Sequence, residues 1–218
     1  VCATPTLAPF QTIGPWSYLR CGECAATMLA AHQLPDEDTQ RRHYMKHEND
    51  LDDPRYRAFL RRLAEPLLAR LKPGLSGLDY GCGPGPLLAR MLAQAGHSMR
   101  VYDPFFAPDA QALQQRYDFV TCTEVAEHFH RPRQEFERLR GLLKPGGVLA
   151  LMTCLQTEDR LFANWHYRRD PTHVVFYREE TFRWIARALD LHFESPARNV
   201  IFLGQDSRGA VPSPPSMP

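Results

Sequence analysis

Two groups of residues have the types and spacing to do chemistry. The first is LDYGCGPG, residues 78–85, followed at once by LLARML. An apolar run ends there in a glycine-rich turn and an amphipathic run begins. Gly81, Gly83 and Gly85 permit backbone angles and a close approach that a side chain would forbid. The helix that follows offers N–H groups without intrahelical partners, so a small molecule can lie directly on the backbone. Dinucleotide-binding folds use similar turns, which leaves nicotinamide or flavin as an alternative ligand at this point. The second group is the knuckle RCGEC, with Cys21 and Cys24, and Cys2 upstream. Two thiolates spaced CxxC can take adjacent corners of one tetrahedron, and a zinc ribbon uses two such knuckles. Only one is complete here. Cys2 stands about the right distance upstream to belong to a second, and because the chain begins at Val1 the expectation is that a preceding CxxC partner was cut away or replaced. Cys2, Cys21 and Cys24 then supply three metal ligands, with His32 the nearest spare fourth; free or oxidised thiols in a flexible arm are the alternative.

The elements that must position these residues follow from periodicity. Residues 1–35 are poor in helical pattern and read as a small cysteine-bearing arm, a degenerate or truncated zinc-ribbon-like unit. Asp36 is an N-cap candidate with acids after it and bases further on, which predicts a helix over about 37–48. Asp53-Pro54 is a second start signal, and Phe59, Leu60, Leu63, Leu67, Leu68 and Leu71 recur at helical spacing up to Pro73-Gly74. Pro66 falls inside and is expected to kink or divide that helix. From Leu75 short apolar runs alternate with helical segments: GLDYG, MRVYD, YDFVTCT and GGVLALMTC as strands, LLARMLAQAG and RQEFERLRGLLKPG as helices. Such alternation is the signature of βαβ units around a parallel sheet. A helix over about 179–189 and two runs, LHFES and RNVIFLG, complete the domain, 36–205, as a closing antiparallel hairpin. The tail, 206–218, has almost nothing to bury and reads as disordered.

On these residues the chain resembles the class I S-adenosylmethionine-dependent methyltransferases, from about Leu75 to Leu203. Asp79-Tyr80-Gly81-Cys82-Gly83-Pro84-Gly85 is similar to that family's first motif, DxGCGxG, and YDFVTCTEVAEHFHRP and LLKPGGVLALMTC resemble its fourth-strand and fifth-strand regions. The resemblance implies a doubly wound, Rossmann-like α/β sheet and S-adenosylmethionine as cofactor, held by Asp79, Gly81 and Gly83. Asp103, followed by Pro104, stands where the family places a carboxylate on the ribose hydroxyls, which it can accept from in pairs. One departure is visible. Only residues 104–117 separate Asp103 from Asp118, where the family fits a helix and a whole third strand, so that strand is expected to be short or missing. Phe105 and Phe106 are either an adenine wall or core residues. In this family a tyrosine from an upstream helix often closes over the methionine moiety; Tyr44, with His47 beside it, is the candidate, against an ordinary helix-face role.

Open α/β sheets bind ligands at the carboxyl ends of their strands, which places Thr123, Glu124 and Val125 on the cleft, with Glu127 and His128 just beyond. Methyl transfer from a sulfonium asks mainly for alignment and exclusion of water, and a base is needed only for a protonated acceptor. His128 and His173 titrate in the right range for that base; each also has a purely structural reading as a hydrogen-bonding partner. The segment 162–186 is rich in aromatic and imidazole groups and follows the fifth strand, where related methyltransferases insert substrate-recognition elements. Trp165, His166, Tyr167, Arg169, Asp170, Thr172, His173 and Tyr177 are its candidate substrate-pocket residues. The alternative is that Asp170 and Thr172 cap a turn and His173 is a buried partner. Its WxYxxDxTHxxFY pattern is similar to that of small bacterial methyltransferases, including those related to quinone-biosynthesis enzymes.

The bulk numbers bound these readings. With 218 residues, 44% hydrophobic and 23% charged, the chain has room for one well-buried core plus an appendage. A formal net charge of +1 gives no global field to hold a polyanion. That favours a small-molecule methyl acceptor over RNA presented by the cysteine arm, the second hypothesis; a catalytically silent cofactor-binding regulator is the third. No run approaches the ~18 apolar residues of a spanning helix, and no leader is apparent, so a cytoplasmic protein is expected. Cys82, Cys122 and Cys154 sit in or beside apolar runs and read as small core residues.

Overall fold

Near its start the chain builds strands that the periodicity did not announce. β1 (Leu7–Ile13) and β2 (Trp16–Cys21) form an antiparallel hairpin around Gly14, which takes φ 57°, and β2 pairs with β3 (Thr27–Leu29). The three strands do not stand apart from the rest. Thr27 and Met28 pair with Phe176 and Val175, so this four-stranded sheet also includes a strand from the aromatic segment downstream. The structure, a computed structural model, describes residues 1–2, 6–45 and 51–204. The expected tail, His47 and the last turn of the helix expected to reach 48 lie outside the described residues.

Both helix start signals act as their chemistry requires. Asp36 accepts from the Thr39 N–H at 2.8 Å and opens α1 (Glu37–Tyr44); Asp53 accepts from the Arg55 N–H at 2.8 Å and opens α2 (Pro54–Arg70), with Pro54 at its first position. Leu60, Leu63, Ala64 and Leu67 line one face of α2 and are buried. Each leucine so buried contributes about 1.5–3 kcal/mol. Pro66 lies inside α2 without dividing it, because the missing N–H costs less than the buried stripe on either side provides.

The main sheet contains β4 (Ser76–Tyr80), β5 (Ser98–Tyr102), β6 (Tyr117–Thr123) and β7 (Leu143–Met152), with α3 (Leu87–Gln94) after β4 and α4 (Pro132–Gly141) after β6. Beyond β8 (Val175–Phe176) and α5 (Glu179–Ala188), β9 (His192–Ala197) and β10 (Val200–Gly204) form the closing hairpin. The order is β5-β4-β6-β7-β10-β9, parallel from β5 through β7 and antiparallel over β10 and β9. Between β5 and β6 the described residues hold a 3-10 turn, Ala110–Gln114, and no third strand, so β5 ends the sheet. No helix among the described residues is long and apolar enough to cross a membrane.

Candidate functional site

A cavity of about 710 Å³ opens at the carboxyl ends of β4, β5 and β6. One side is backbone. Gly81 and Gly83 take φ 76° and 65°, angles that suit glycine. A Cβ on Gly81 would lie 2.4 Å from Val125 Cγ2, so the turn after β4 is pressed against the turn after β6. The N–H groups of Gly81 and Cys82 donate to the Tyr102 carbonyl. Asp103 ties the two loops together: one carboxylate oxygen accepts from Gly83 N–H at 3.0 Å, the other from Phe105 and Phe106 N–H at 2.8 and 3.1 Å. Pro104, Phe105 and Phe106 line the same wall. Asp79 does not reach the cavity. It is buried behind the turn, where it accepts from the Thr121 hydroxyl at 2.7 Å and lies beside the Ala89 N–H in the first turn of α3. Burial raises its carboxyl to about 6 against those hydrogen bonds.

The opposite side is ionisable. Glu124 follows β6 in the left-handed region at φ 52°, a conformation that costs a non-glycine residue about 1–2 kcal/mol. Glu127 lies fully buried three residues on. Tyr167, from the segment after β7, touches both: its hydroxyl is 2.5 Å from Glu127 Oε1 and 3.2 Å from Glu124 Oε2. Thr153 donates to the other Glu127 oxygen at 2.9 Å. A phenol has one hydrogen. Tyr167 therefore donates to Glu127, and a protonated Glu124 donates to Tyr167 in turn. Burial first, and then the charge of Glu127, push Glu124 up to about 8, so that it holds its proton at neutral pH.

Two imidazoles complete this wall, with ring centroids 4.7 Å apart. His128 Nδ1 faces the Thr172 carbonyl at 2.9 Å and His173 Nδ1 the Tyr167 carbonyl at 2.6 Å. A carbonyl only accepts, so each ring carries its hydrogen on Nδ1 and keeps Nε2 as the basic nitrogen. His173 Nε2 lies 4.0 Å from Glu127 and 3.9 Å from Asp170. Burial lowers its pKa despite Glu127, leaving a neutral base. Burial would raise Asp170, but the Thr172 hydroxyl and N–H, with His173 and His43 alongside, hold it at about 2. Donor atoms of Glu127, His128 and His173 lie within 4.8 Å of one another, close enough to share a proton or a small cation. Tyr44 of α1 lines the cavity and places its ring 5.2 Å from His128 and 5.4 Å from Phe105, over the line between the two walls.

The structure thus brings Tyr44, Gly81, Gly83, Asp103, Pro104, Thr123, Glu124, His128, Asp170 and His173 onto one cavity. Of the substrate-pocket candidates, Asp170 and His173 reach this cavity, whereas Trp165, His166, Tyr167, Arg169, Thr172 and Tyr177 do not line it. Tyr177 is fully buried, stacked on Phe182, with its hydroxyl donating to the Ala126 carbonyl, so it is a core residue. Trp165 packs on Tyr167 and Phe176 behind the wall. Tyr167 acts from beneath the carboxylates, and Thr172 is buried, caps its own turn on Asp170 and presents its carbonyl to His128. His166 is exposed, and Arg169 lines a second cavity of about 400 Å³ with Trp16 and Tyr18. Of the three expected core thiols, Cys82 and Cys122 are buried, Cys82 at the edge of the main cavity, and Cys154 is half-buried. Sequence reasoning missed Tyr56 and His130. The first is on the buried side of α2; the second sits in HFHRP, where neither spacing nor composition marks a ligand contact. Thr123 Oγ1 and His130 Nε2 are buried on residues lining the cavity, without hydrogen-bond partners among the described residues, as expected of atoms that meet a polar ligand.

Residues 42–195 match the model of a methyltransferase-domain family. Among curated proteins, the ubiquinone biosynthesis O-methyltransferase of Serratia proteamaculans is 35% identical over 91 residues, which cover 42% of this chain and 37% of that protein. That of Xanthomonas axonopodis is 32% identical over 120 residues, 43% of this chain and 49% of that one. The chain spans less than half the length of these relatives. Among solved structures, the 1,6-didemethyltoxoflavin-N1-methyltransferase of Burkholderia thailandensis, with bound 1,6-didemethyltoxoflavin and S-adenosylhomocysteine, superposes with a TM-score of 0.56 at 17% identity, over 91% of this chain and 99% of that chain. That likeness shows the fold.

Proposed function

Because this chain belongs to the methyltransferase-domain family, we propose that it moves a methyl group from S-adenosylmethionine to a hydroxyl of a small molecule bound between the glycine turn and the imidazole pair. The observation that carries this reading is the division of one cavity into a backbone wall and an ionisable wall. When bound, S-adenosylmethionine supplies a sulfonium methyl that a nucleophile can displace in line. The residues present fit it: Gly81 and Gly83 give the bare backbone, Asp103 keeps lone pairs for ribose hydroxyls beyond the three N–H groups it already accepts from, and Thr123 and His130 offer unpartnered polar atoms. Tyr44 covers the junction and limits water. His173 takes the acceptor's proton on Nε2 as the hydroxyl oxygen attacks, and the resulting imidazolium lies 4.0 and 3.9 Å from Glu127 and Asp170. A hydroxyl acceptor also accords with the O-methyltransferase names of the curated relatives.

The first test is calorimetric titration of S-adenosylhomocysteine into the protein and its Asp103→Ala variant. We expect binding to the former and a loss of tenfold or more in the latter; no binding to the unaltered protein sinks the proposal. The second is turnover on a panel of catechols and hydroxyarenes followed by mass. Tight cofactor binding with no methylated product favours the silent regulator, and salt-sensitive retention of RNA favours an RNA acceptor.

A further inference from the structure

Three cysteines lie outside the cleft and have no part in methyl transfer. Cys2, Cys21 and Cys24 are all buried, and their sulfur atoms lie within 4.8 Å of one another, with Cys2 and Cys21 Sγ 3.4 Å apart. Three thiols at one buried point can remain thiols, form one disulfide, or share a metal ion. A disulfide joins two sulfurs at about 2.05 Å and leaves the third without a role. A tetrahedral thiolate site with metal–sulfur bonds of about 2.3 Å separates its sulfurs by about 3.8 Å, close to the 3.4 Å between Cys2 and Cys21 and inside the 4.8 Å that bounds all three.

The backbone gives a second, independent sign. The backbone amides of Glu23 and Cys24 lie beside the Cys21 sulfur, and that of Ala26 beside the Cys24 sulfur. Amide groups next to sulfur serve a metal-bound thiolate as outer partners. The turn closes through Ala25 N–H on the Cys21 carbonyl and Cys21 N–H on the Ala26 carbonyl. Ala25 takes φ 58° to do so, a strained angle that persists only where the surroundings fix it.

We propose that Cys2, Cys21 and Cys24 are ligands of one thiophilic divalent metal ion, zinc, which fastens the beginning of the chain to the CxxC turn and so fixes β3. His32 does not complete the set: it is exposed and stands outside the cluster, and no other His, Cys, Asp or Glu among the described residues joins it. Water fills the fourth corner. The site adjoins the ionisable wall. β3 begins three residues after Cys24; Leu29 N–H donates to the Val174 carbonyl, Val174 N–H donates to the Glu127 carbonyl, and His173 precedes Val174. The metal therefore steadies the acceptor side of the cavity and leaves the glycine turn, on another sheet, unaffected.

Cobalt(II) titration of the reduced, metal-free protein tests this through the near-ultraviolet thiolate-to-cobalt absorption, with zinc measured on the protein as isolated. We expect one zinc per chain, one equivalent of cobalt, a Cys24→Ser variant that binds at least tenfold more weakly with about a third less absorption, and a Cys154→Ser variant that behaves as the parent. Should Cys24→Ser fail to fold, chelation of the unaltered protein gives the same answer by hydrogen exchange: residues 27–29 and 174–176 exchange tenfold faster while S-adenosylhomocysteine affinity holds. A metal-free protein without a cobalt band, a Cys2–Cys21 disulfide in material isolated without oxygen, or Cys24→Ser binding cobalt as the parent does would each overturn it.

Discussion

The close approach of Gly81 to Val125 predicts a measurable coupling between two residues far apart in sequence. Gly81→Ala adds a Cβ that would lie 2.4 Å from Val125 Cγ2 and 2.8 Å from Cγ1, at a φ of 76°. The left-handed angle costs a non-glycine residue about 1–2 kcal/mol. Overpacking against a branched side chain held by its own turn costs about 1–3 kcal/mol more. The variant should lose roughly 2–5 kcal/mol in urea unfolding, with the slope unchanged. Val125→Ala alone, at a half-buried position, should lose about 1 kcal/mol. The double variant removes the atoms that clash and keeps the strained angle, so its loss should fall short of the sum of the single losses by about 1–3 kcal/mol. The same variants titrated with S-adenosylhomocysteine should show Gly81→Ala binding at least tenfold more weakly, partly restored in the double variant. If Gly81→Ala unfolds within 0.5 kcal/mol of the parent, or the two losses simply add, the turns are not in contact and the backbone wall is wrongly drawn.

Glu124→Gln should flatten the dependence of stability on pH. In the unfolded chain this carboxyl titrates near 4.5 and in the fold at about 8, so across that window the folded state alone holds the proton. The parent should therefore be most stable relative to the variant below pH 4.5 and lose that advantage as pH rises through 8, a swing on the order of 5 kcal/mol; parallel urea midpoints from pH 5 to 9 would rule out the buried neutral acid. Tyr167→Phe removes the hydroxyl 2.5 Å from Glu127 and should cost about 1.5–3 kcal/mol of stability. Its S-adenosylhomocysteine affinity should stay within twofold, and a larger fall would place Tyr167 on the cofactor side. Tyr177→Phe should cost about 1 kcal/mol for the bond to Ala126 and leave every ligand affinity alone, as checked by unfolding and calorimetry together.

Local signals carried the parallel sheet because its strands report themselves. β6 is a mainly apolar run between the polar Gln115 and Arg116 and the acids at 124 and 127, and the structure gives it the bounds Tyr117–Thr123. The missing third strand was legible by counting, since residues 104–117 leave no room for one. β8 was not legible. It is two residues long and exists through pairing with Thr27 and Met28, about 150 positions away, which no local pattern encodes. The same reason divides the substrate candidates: composition marks 162–186 as aromatic, but whether a side chain faces a cavity or the core depends on partners elsewhere. Tyr177 turns inward onto Phe136 and Phe182, while His173, four residues before it, turns outward. The left-handed angle at Glu124 has no sequence mark at all, because glutamate is not a residue that usually adopts it.

These differences have one physical source. The backbone wall is made by segments near one another in sequence, residues 79–85 and 102–106, whose bonds form as soon as β4 and β5 pair. The ionisable wall joins β6, the end of β7 and the segment beyond it. Glu124 and Glu127 buried side by side would destabilise the fold through desolvation and repulsion, were it not for a proton on one and the hydroxyls of Tyr167 and Thr153 on the other. Those hydroxyls arrive only when residues 153–176 have docked, and docking is fixed in turn by β3 against β8 and by Val174 on the Glu127 carbonyl. The ionisable wall therefore depends on the N-terminal sheet in a way that the glycine turn does not. A change at the hairpin or the thiols should lower turnover in the methyl-transfer assay while the affinity for S-adenosylhomocysteine holds.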